Sequence, residues 1–230
     1  MRKTEYNFGM RNEQPGIYGG VYSYLEAARL LNIAPPRVRR WADGYTFQRK
    51  KGPGSSRPIL QTDRYPGVIT FSELWELFFV REYIALGVNL QHIRATAEAL
   101  SKEFGAFPFT NAKLLTNGRR LLIERANGLL QRPDIGQLVA DFADSMLPRV
   151  EIRDDHVGVY RPESFDDQVY LDREIRGGEP VVSAFAIPTR AIYALWENER
   201  RIEAVAEYHD IEPSIVSIAV RYEGQWRLAA

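Results

Sequence analysis

The sequence predicts a mainly α-helical fold with small β-hairpins, an α+β middle region and a C-terminal bundle of three helices. At the N-terminal end, a short helix is followed, after a three-residue break, by an Arg-rich helix and then by two β-prone runs that flank a basic tip. At the other end, three helical patterns with short linkers follow Pro188, as in helix-turn-helix bundles. We therefore expect an N-terminal arm, a first domain, a middle region and a C-terminal module, at residues 1–17, 18–105, 106–165 and 166–230.

Two short helices open the first domain. Ser23 and Glu26 have the spacing of a capping box, in which the hydroxyl accepts from the amide three residues on and the carboxylate reaches back. Pro35 and Pro36 suit the first turn of a second helix, and Gly44 is placed to end it. The second helix carries three arginines, Arg37, Arg39 and Arg40.

A basic hairpin is predicted next. Residues 45–48 and 58–61 are β-prone and flank a segment rich in Gly, Pro and Ser, which predicts two strands joined by a longer loop. The tip carries four positive charges, on Arg49, Lys50, Lys51 and Arg57.

The rest of the first domain is predicted to form two longer helices. Thr70 and Glu73 form a second capping box, and Asn89 is placed to cap the helix that follows. The first of these helices carries an aromatic cluster, Trp75, Phe78 and Phe79. Its helical spacing predicts packing in the core or in a dimer seam rather than a ligand pocket.

The middle region and the C-terminal module contain further local signals. Asn117-Gly118 predicts a two-residue hairpin turn, and a second hairpin is expected to turn at Asp154-Asp155. Between these hairpins, a helix is expected from Pro133 to Met146. The three C-terminal helices are predicted at residues 189–196, 200–208 and 213–222.

The charge of the chain differs sharply between its ends. The 230 residues include 30 Lys and Arg and 30 Asp and Glu, so the formal net charge is zero. Counted by segment, residues 1–60 carry +7 and residues 151–230 carry −7. Because a basic excess is typical of nucleic-acid-binding regions, this asymmetry points to different partners at the two ends.

The composition disfavours several kinds of function. Without cysteine, the chain has no disulfide, thiolate nucleophile or Cys-based zinc site, and its three histidines are too far apart for a ligand motif. No phosphate-binding loop or nucleophile elbow occurs, so we expect no enzyme, metal or cofactor. No apolar run approaches the roughly 18 residues that span a membrane, and no signal-peptide pattern is present. We therefore expect a cytoplasmic protein with no membrane partner.

The order of elements in the first domain predicts DNA binding. A helix fits the major groove, and a hairpin beside it can lie along an adjacent groove or backbone. The three arginines of the second helix are placed to reach base edges or phosphates. The four basic residues of the tip suit phosphates, because a loop rich in glycine gives little positional precision. Helix-turn-helix proteins commonly pair over two half-sites, so a homodimer is expected.

Residues 18–105 resemble the winged helix-turn-helix domain of MerR-type regulators. The resemblance rests on Tyr22 to Ile33 followed by Val38-Arg39-Arg40-Trp41, and on Leu86 to Arg94, which is similar to the helix junction after the wing in that family. It implies a MerR-like winged helix-turn-helix fold. The metal-sensing role of some MerR proteins does not carry over, since those sensors use cysteines.

The C-terminal module resembles a small antitoxin family, the domain of unknown function 433. The matching segments are Leu171-Asp172, Gly177 to Val182, Ile187 to Ile192 and Val205 to Tyr208. Many members carry Gly-Thr-Arg before the Ile-Pro, where this chain has Ala184-Phe185-Ala186. A MerR-like domain joined to this module looks like a VapB-type antitoxin of a VapBC pair. The resemblance implies operator DNA and a PIN-like ribonuclease toxin as partners.

The residues that would contact a toxin are less defined by sequence. PIN active sites are acidic, so Arg173, Arg176 and Arg190 are candidates to compete for those carboxylates. The charge of the C-terminal module allows the opposite arrangement equally well, in which its acidic residues bind a basic groove. A different class of function, a MerR-like regulator whose C-terminal region senses a small molecule, also stays open.

Overall fold

The computed structural model describes residues 19–49, 52–60, 65, 67–112, 133–165, 167–182 and 185–225. The predicted N-terminal arm, the hairpin at Asn117-Gly118 and the charges of Lys50 and Lys51 lie outside these ranges. The described helices and strands are β1 (Val21–Ser23), α1 (Tyr24–Leu31), α2 (Pro35–Asp43), β2 (Tyr45–Arg49), β3 (Gly52–Ser56), β4 (Val68–Thr70), α3 (Phe71–Ala85), α4 (Leu90–Phe104), α5 (Pro133–Met146), β5 (Val150–Arg153), β6 (His156–Tyr160), β7 (Val169–Asp172), β8 (Val181–Val182), β9 (Ile187–Pro188), α6 (Thr189–Glu199), α7 (Ile202–His209) and α8 (Pro213–Gly224).

Both predicted capping boxes are confirmed. The Ser23 hydroxyl accepts from the amide of Glu26 at 3.2 Å, and the Glu26 carboxylate accepts from the amide of Ser23 at 2.9 Å. Thr70 and Glu73 make the same reciprocal pair at the start of α3, at 3.3 and 2.8 Å. The antiparallel β1–β4 ladder pairs Ser23 with Val68 and Val21 with Thr70, so the two capped helix starts lie at opposite ends of this short ladder.

The basic hairpin is present, but its second strand was predicted at the wrong residues. β2 pairs with β3 at Gly52–Ser56, directly within the segment expected to form the tip, whereas the prediction placed the strand at 58–61. Ile59 and Leu60 are instead buried in the core, and the Ile59 amide donates to the carbonyl of Trp41 at 2.8 Å. Burial of these two apolar side chains outweighs their strand propensity.

One hydrophobic core joins the first domain to the middle region. Phe71 to Val80 on α3 are all buried, which confirms the predicted aromatic core. The ring centroid of Trp75 lies 4.3 Å from that of Tyr160 on β6, and the ring centroid of Phe78 lies 6.4 Å from that of Phe142 on α5. The side chains on the two sides of the predicted boundary near residue 105 therefore pack into the same hydrophobic core.

A five-stranded antiparallel sheet joins the middle region to the C-terminal module. Its strand order is β5-β6-β7-β8-β9, and β6 pairs with β7 across the predicted boundary at 165/166. The predicted turn at Asp154-Asp155 is confirmed, with both residues at positive φ. The sheet thus carries the chain from the shared core toward the last three helices.

The three C-terminal helices are confirmed to within a few residues of their predicted bounds. Their buried faces form a separate core with β8, made by Val182, Ile192, Val205, Ala206, Val216 and Ala219. We call α6, α7 and α8 the C-terminal bundle. Tyr222 near the end of α8 packs edge-on against Phe165, with ring centroids 5.1 Å apart, so α8 reaches back to the middle region.

Candidate functional site

The exposed face of α2 carries the predicted DNA-contacting arginines. Val38, Trp41 and Ala42 are buried, and a helix turns about 100° per residue, so Arg40 lies opposite the buried face and Arg37 and Arg39 lie on its two flanks. All three arginines are exposed. Arg37 and Arg39 form no ion pair with any residue in the described ranges.

Neighbouring side chains position and partly offset this charge. The Arg40 guanidinium lies over the ring of Tyr45 on β2, 5.5 Å from its centroid. Asp43, one turn along α2, accepts a hydrogen bond from the hydroxyl of Tyr24 at 2.6 Å. The hydroxyl orients the one acidic side chain on α2 and ties the helix to α1.

The basic hairpin lies beside α2 in the chain and in space. Arg49 ends β2, and Arg57 follows β3 with its side chain 80% exposed. Arg57 Nη2 lies 3.4 Å from Glu98 Oε2 on α4, an exposed pair that leaves the cation available to another partner. Arg37, Arg39, Arg40 and Arg57 therefore form the described part of one basic surface, which we call the α2–hairpin surface.

Arg173, a predicted toxin contact, is used inside the protein. Its side chain is 3% exposed and pairs with Asp154 at the β5–β6 turn. A second nitrogen donates to the carbonyl of Arg153 at 3.3 Å. In this structure Arg173 holds the turn in place and presents no charge to solvent.

The other two predicted toxin contacts reach the surface. Arg176 is exposed, and its Nε donates to the carbonyl of Ala186 at 2.9 Å, in the turn between β8 and β9. The Arg190 side chain is 65% exposed and forms an ion pair with Glu179. Its Nη1 also lies 4.0 Å from Oε1 of Glu26 on α1. Arg190 therefore lies beside α1, whereas the contact of Arg176 is within the C-terminal module.

A polar junction connects α1 to the C-terminal bundle. Arg29 of α1 pairs with Glu223 of α8, whose side chain is 6% exposed. The Thr189 hydroxyl donates to the other carboxylate oxygen of Glu223 at 2.5 Å. The Tyr22 hydroxyl donates to the carbonyl of Gly178 at 2.7 Å. The sequence contains no signal for these contacts. The partners in the Arg29–Glu223 and Tyr22–Gly178 contacts are more than 150 positions apart, and only the Thr189–Glu223 contact joins closer residues.

Burial controls the protonation of one acid in the first domain. Glu76 on α3 is buried, which raises the pKa of its carboxyl to about 8. The amides of Phe109 and Thr110 donate to that carboxyl at 3.2 Å each and partly oppose the increase. In contrast, hydrogen bonds from Ser23 lower the pKa of the exposed Glu26. Glu76 thus clamps the segment after α4 onto α3.

Two kinds of feature are not found in the part of the chain that the structure describes. No three or more His, Asp or Glu side chains converge there in a way that would hold a metal ion. In the same residues, no helix has the length and apolar character needed to cross a membrane.

Comparison with known proteins supports an antitoxin relationship. The chain is 24% identical over 214 residues to a Mycobacterium tuberculosis protein named "Putative antitoxin VapB45", and the match spans 84% of this chain and 89% of the relative. This similarity supports a relationship to the VapB-type antitoxins at the level of the family. No family model matches the chain, so the similarity to family 433 rests on the quoted segments alone.

A solved structure shares the overall fold. The crystal structure of Rv2018 from Mycobacterium tuberculosis aligns with a TM-score of 0.68 and 20% identity, over 86% of this chain and 96% of that chain. Because the alignment spans most of both chains, the first domain, middle region and C-terminal bundle belong to one shared architecture. The chain is therefore similar over most of its length to an antitoxin-named protein and to a solved fold.

Proposed function

We propose that this protein is a VapB-type antitoxin that represses its own operator through the α2–hairpin surface and neutralises a PIN-like ribonuclease toxin through its C-terminal part. The observation that carries the proposal is the similarity to VapB45, which extends over 84% of the chain rather than over one motif. The basic first 60 residues and the acidic last 80 fit two partners of opposite charge.

DNA binding is assigned to the first domain as a MerR-like winged helix-turn-helix. In this arrangement α2 enters the major groove with Arg39 and Arg40 toward the base edges, and the hairpin follows the backbone with Arg57. The burial of Val38 and Trp41 supports it, because a rigidly packed helix can hold its outward side chains in a fixed register. A homodimer would place two such helices on the half-sites of an operator.

Toxin neutralisation is assigned to the C-terminal part. Arg176 and Arg190 have exposed guanidinium groups that can approach the acidic site of a PIN-like nuclease. Arg173 contributes to toxin binding only indirectly, because its ion pair with Asp154 holds the β5–β6 turn in place. The α8 helix contains a single basic residue, Arg221, so we assign the C-terminal bundle to protein rather than DNA.

Copurification tests the pairing. The chain carrying an affinity tag is co-expressed with the product of the adjacent gene, and the complex is measured by size-exclusion chromatography with light scattering. We expect a stoichiometric complex that protects RNA from cleavage by that product. Failure of the two proteins to copurify, with both soluble, would remove the antitoxin assignment.

One observation favours a second candidate function, a MerR-like regulator that senses a small molecule. A cleft between α1 and the C-terminal bundle is lined by charges of both signs, including Arg29, Glu26, Glu179 and Arg190. A polar ligand there would touch both the predicted DNA-binding domain and the bundle. A rise in melting temperature with a metabolite, together with no capture of the adjacent gene's product, would favour this function.

A further inference from the structure

The turn between β8 and β9 presents a large apolar ring to solvent. Phe185 is 79% exposed, and both Phe185 and Ala186 adopt left-handed backbone conformations, with φ of 57° and 51°. Residues other than glycine seldom adopt this conformation in succession, because it brings the Cβ close to the following carbonyl oxygen. The Arg176 side chain donates to the carbonyl of Ala186 at 2.9 Å and so anchors the residue that directly follows Phe185.

Phe185 forms one wall of an open groove against the C-terminal bundle. The floor is apolar and consists of Ala206 on α7 with Ile211 and Ile215, which also pack on the core of the bundle. The rim is acidic and consists of Glu203, Glu207, Asp210 and Glu212. We call this feature the acidic groove.

The rim carboxylates face solvent. All four are exposed, and none forms an ion pair with a residue in the described ranges. Glu203 and Glu212 lie at the starts of α7 and α8, where the helix dipole favours an acid. Glu207 and Asp210 lie at the C-terminal end of α7, where the dipole disfavours one. A cation bound beside these two carboxylates would offset the effect of the dipole.

The spacing of the acids suits a helix. Glu203, Glu207 and Asp210 follow one face of α7 at intervals of four and three residues, so they repeat once per helical turn. A partner helix lying alongside would present Lys or Arg with the same period and would place its apolar side chains on the floor and against Phe185. Nucleic acid is excluded, since its phosphates would meet four carboxylates.

We propose that the acidic groove binds a basic amphipathic helix of a partner protein. The proposal rests on the proposed function for the partner's identity, which would be the toxin, but the chemistry of the groove does not depend on that function. Phe185 and the floor supply apolar contact, and the rim supplies charge complementarity. Arg176, assigned above to direct contact with the toxin, also supports Phe185 through its hydrogen bond to the Ala186 carbonyl.

A peptide probe tests the groove on the full-length protein. The probe is a fluorescein-labelled 14-residue peptide of Leu and Lys with apolar residues on one helical face, and its counterpart has every Lys replaced by Glu. We expect only the Lys peptide to increase in fluorescence anisotropy. Glu207→Lys is expected to weaken its binding by at least about fivefold, and Phe185→Asn by a similar factor, since Asn tolerates the left-handed conformation.

Glu199→Lys is the matched control. Glu199 is also an exposed acid at the C-terminal end of a helix, but it lies on α6 outside the groove, so binding should stay within about twofold of wild type. Melting temperatures verify that each variant is folded. Absence of binding of the Lys peptide at concentrations up to about 1 mM would overturn the proposal. Equal weakening by Glu199→Lys and Glu207→Lys would also overturn it.

Copurification with the product of the adjacent gene separates the two proposals. If the wild type and the Glu199→Lys variant capture this product and Glu207→Lys does not, the result supports both the antitoxin function and the groove as the toxin site. Equal capture by all three leaves the antitoxin function in place and overturns the groove as the toxin site. Peptide binding without capture supports the groove and removes the antitoxin function. A change from dimer to monomer in Phe185→Asn would assign the groove to a second copy of this chain and overturn a separate partner.

Discussion

Arg29 of α1 and Glu223 of α8 form an ion pair that joins the first domain to the C-terminal bundle. The carboxylate is buried, whereas the Arg29 side chain is 45% exposed. Thr189 completes the site by donating to Glu223. The ion pair therefore joins α1, which belongs to the predicted DNA-binding domain, to the C-terminal bundle, which is predicted to bind a protein.

Removal of the Arg29 cation should destabilise the protein. Arg29→Ala leaves a buried carboxylate with only the Thr189 hydroxyl, so we expect the free energy of unfolding to fall by about 1–2 kcal/mol, less than for a fully buried pair. Urea unfolding measures this decrease, with the exposed Arg201→Ala as control. In a double-mutant cycle with Glu223→Gln, additivity within about 0.3 kcal/mol would show that the pair does not stabilise the fold.

Gly20 should tolerate no side chain. Its φ is 80°, and a Cβ there would overlap the carbonyl oxygen of Gly177. Gly20→Ala is expected to lower the free energy of unfolding by about 2–4 kcal/mol, because the backbone between β7 and β8 must move away. Gly224→Ala is the control, since a Cβ at Gly224 meets no atom within 4 Å. Equal melting temperatures for the two variants would contradict this close approach.

The buried Glu76 should make stability depend on pH. Its pKa is raised to about 8 in the folded protein from 4.5, so the folded state holds a proton that the unfolded state has released. The stabilising contribution is complete below about pH 4.5 and disappears as the pH rises through 8, with a slope of at most about 1.4 kcal/mol per pH unit. Glu76→Gln should flatten that slope between about pH 5 and 8. Parallel pH profiles for the two proteins would show that Glu76 is ionised in the fold.

The outward arginines of α2 should carry the affinity for DNA. Arg39→Ala with Arg40→Ala is expected to weaken operator binding by about 1–3 kcal/mol for each base that an arginine reads, as measured by gel shift on the upstream DNA. Affinity should fall steeply with salt, and Arg201→Ala serves as a control for total charge. Unchanged affinity in the double variant would exclude α2 as the reading helix.

Local sequence signals predicted the helix starts well. Ser23, Thr70 and Asn89 each accept from a backbone amide of the following helix, because capping depends only on residues within one turn. The hairpin strand at Gly52–Ser56 was missed for the opposite reason. Its Gly-Pro-Gly composition disfavours a strand, and pairing with β2 overrides it.

Contacts between distant segments could not be predicted in this way. The Arg29–Glu223 pair and the Tyr22 hydrogen bond to Gly178 depend on how the sheet folds the chain back, which no local pattern encodes. For the same reason, sequence could not distinguish the buried Arg173 from the exposed Arg176 and Arg190. The acidic residues of α7 were visible as charge, but their alignment with Phe185 required the structure.

Growth of cells that express the product of the adjacent gene is the most direct test of the central claim. Induction of that gene alone should arrest growth, and co-expression of this chain should restore it to the rate of uninduced cells. The Glu199→Lys variant should restore growth equally, which controls for expression of a substituted chain. Continued arrest in the presence of soluble, full-length protein would contradict the assignment of this chain as an antitoxin.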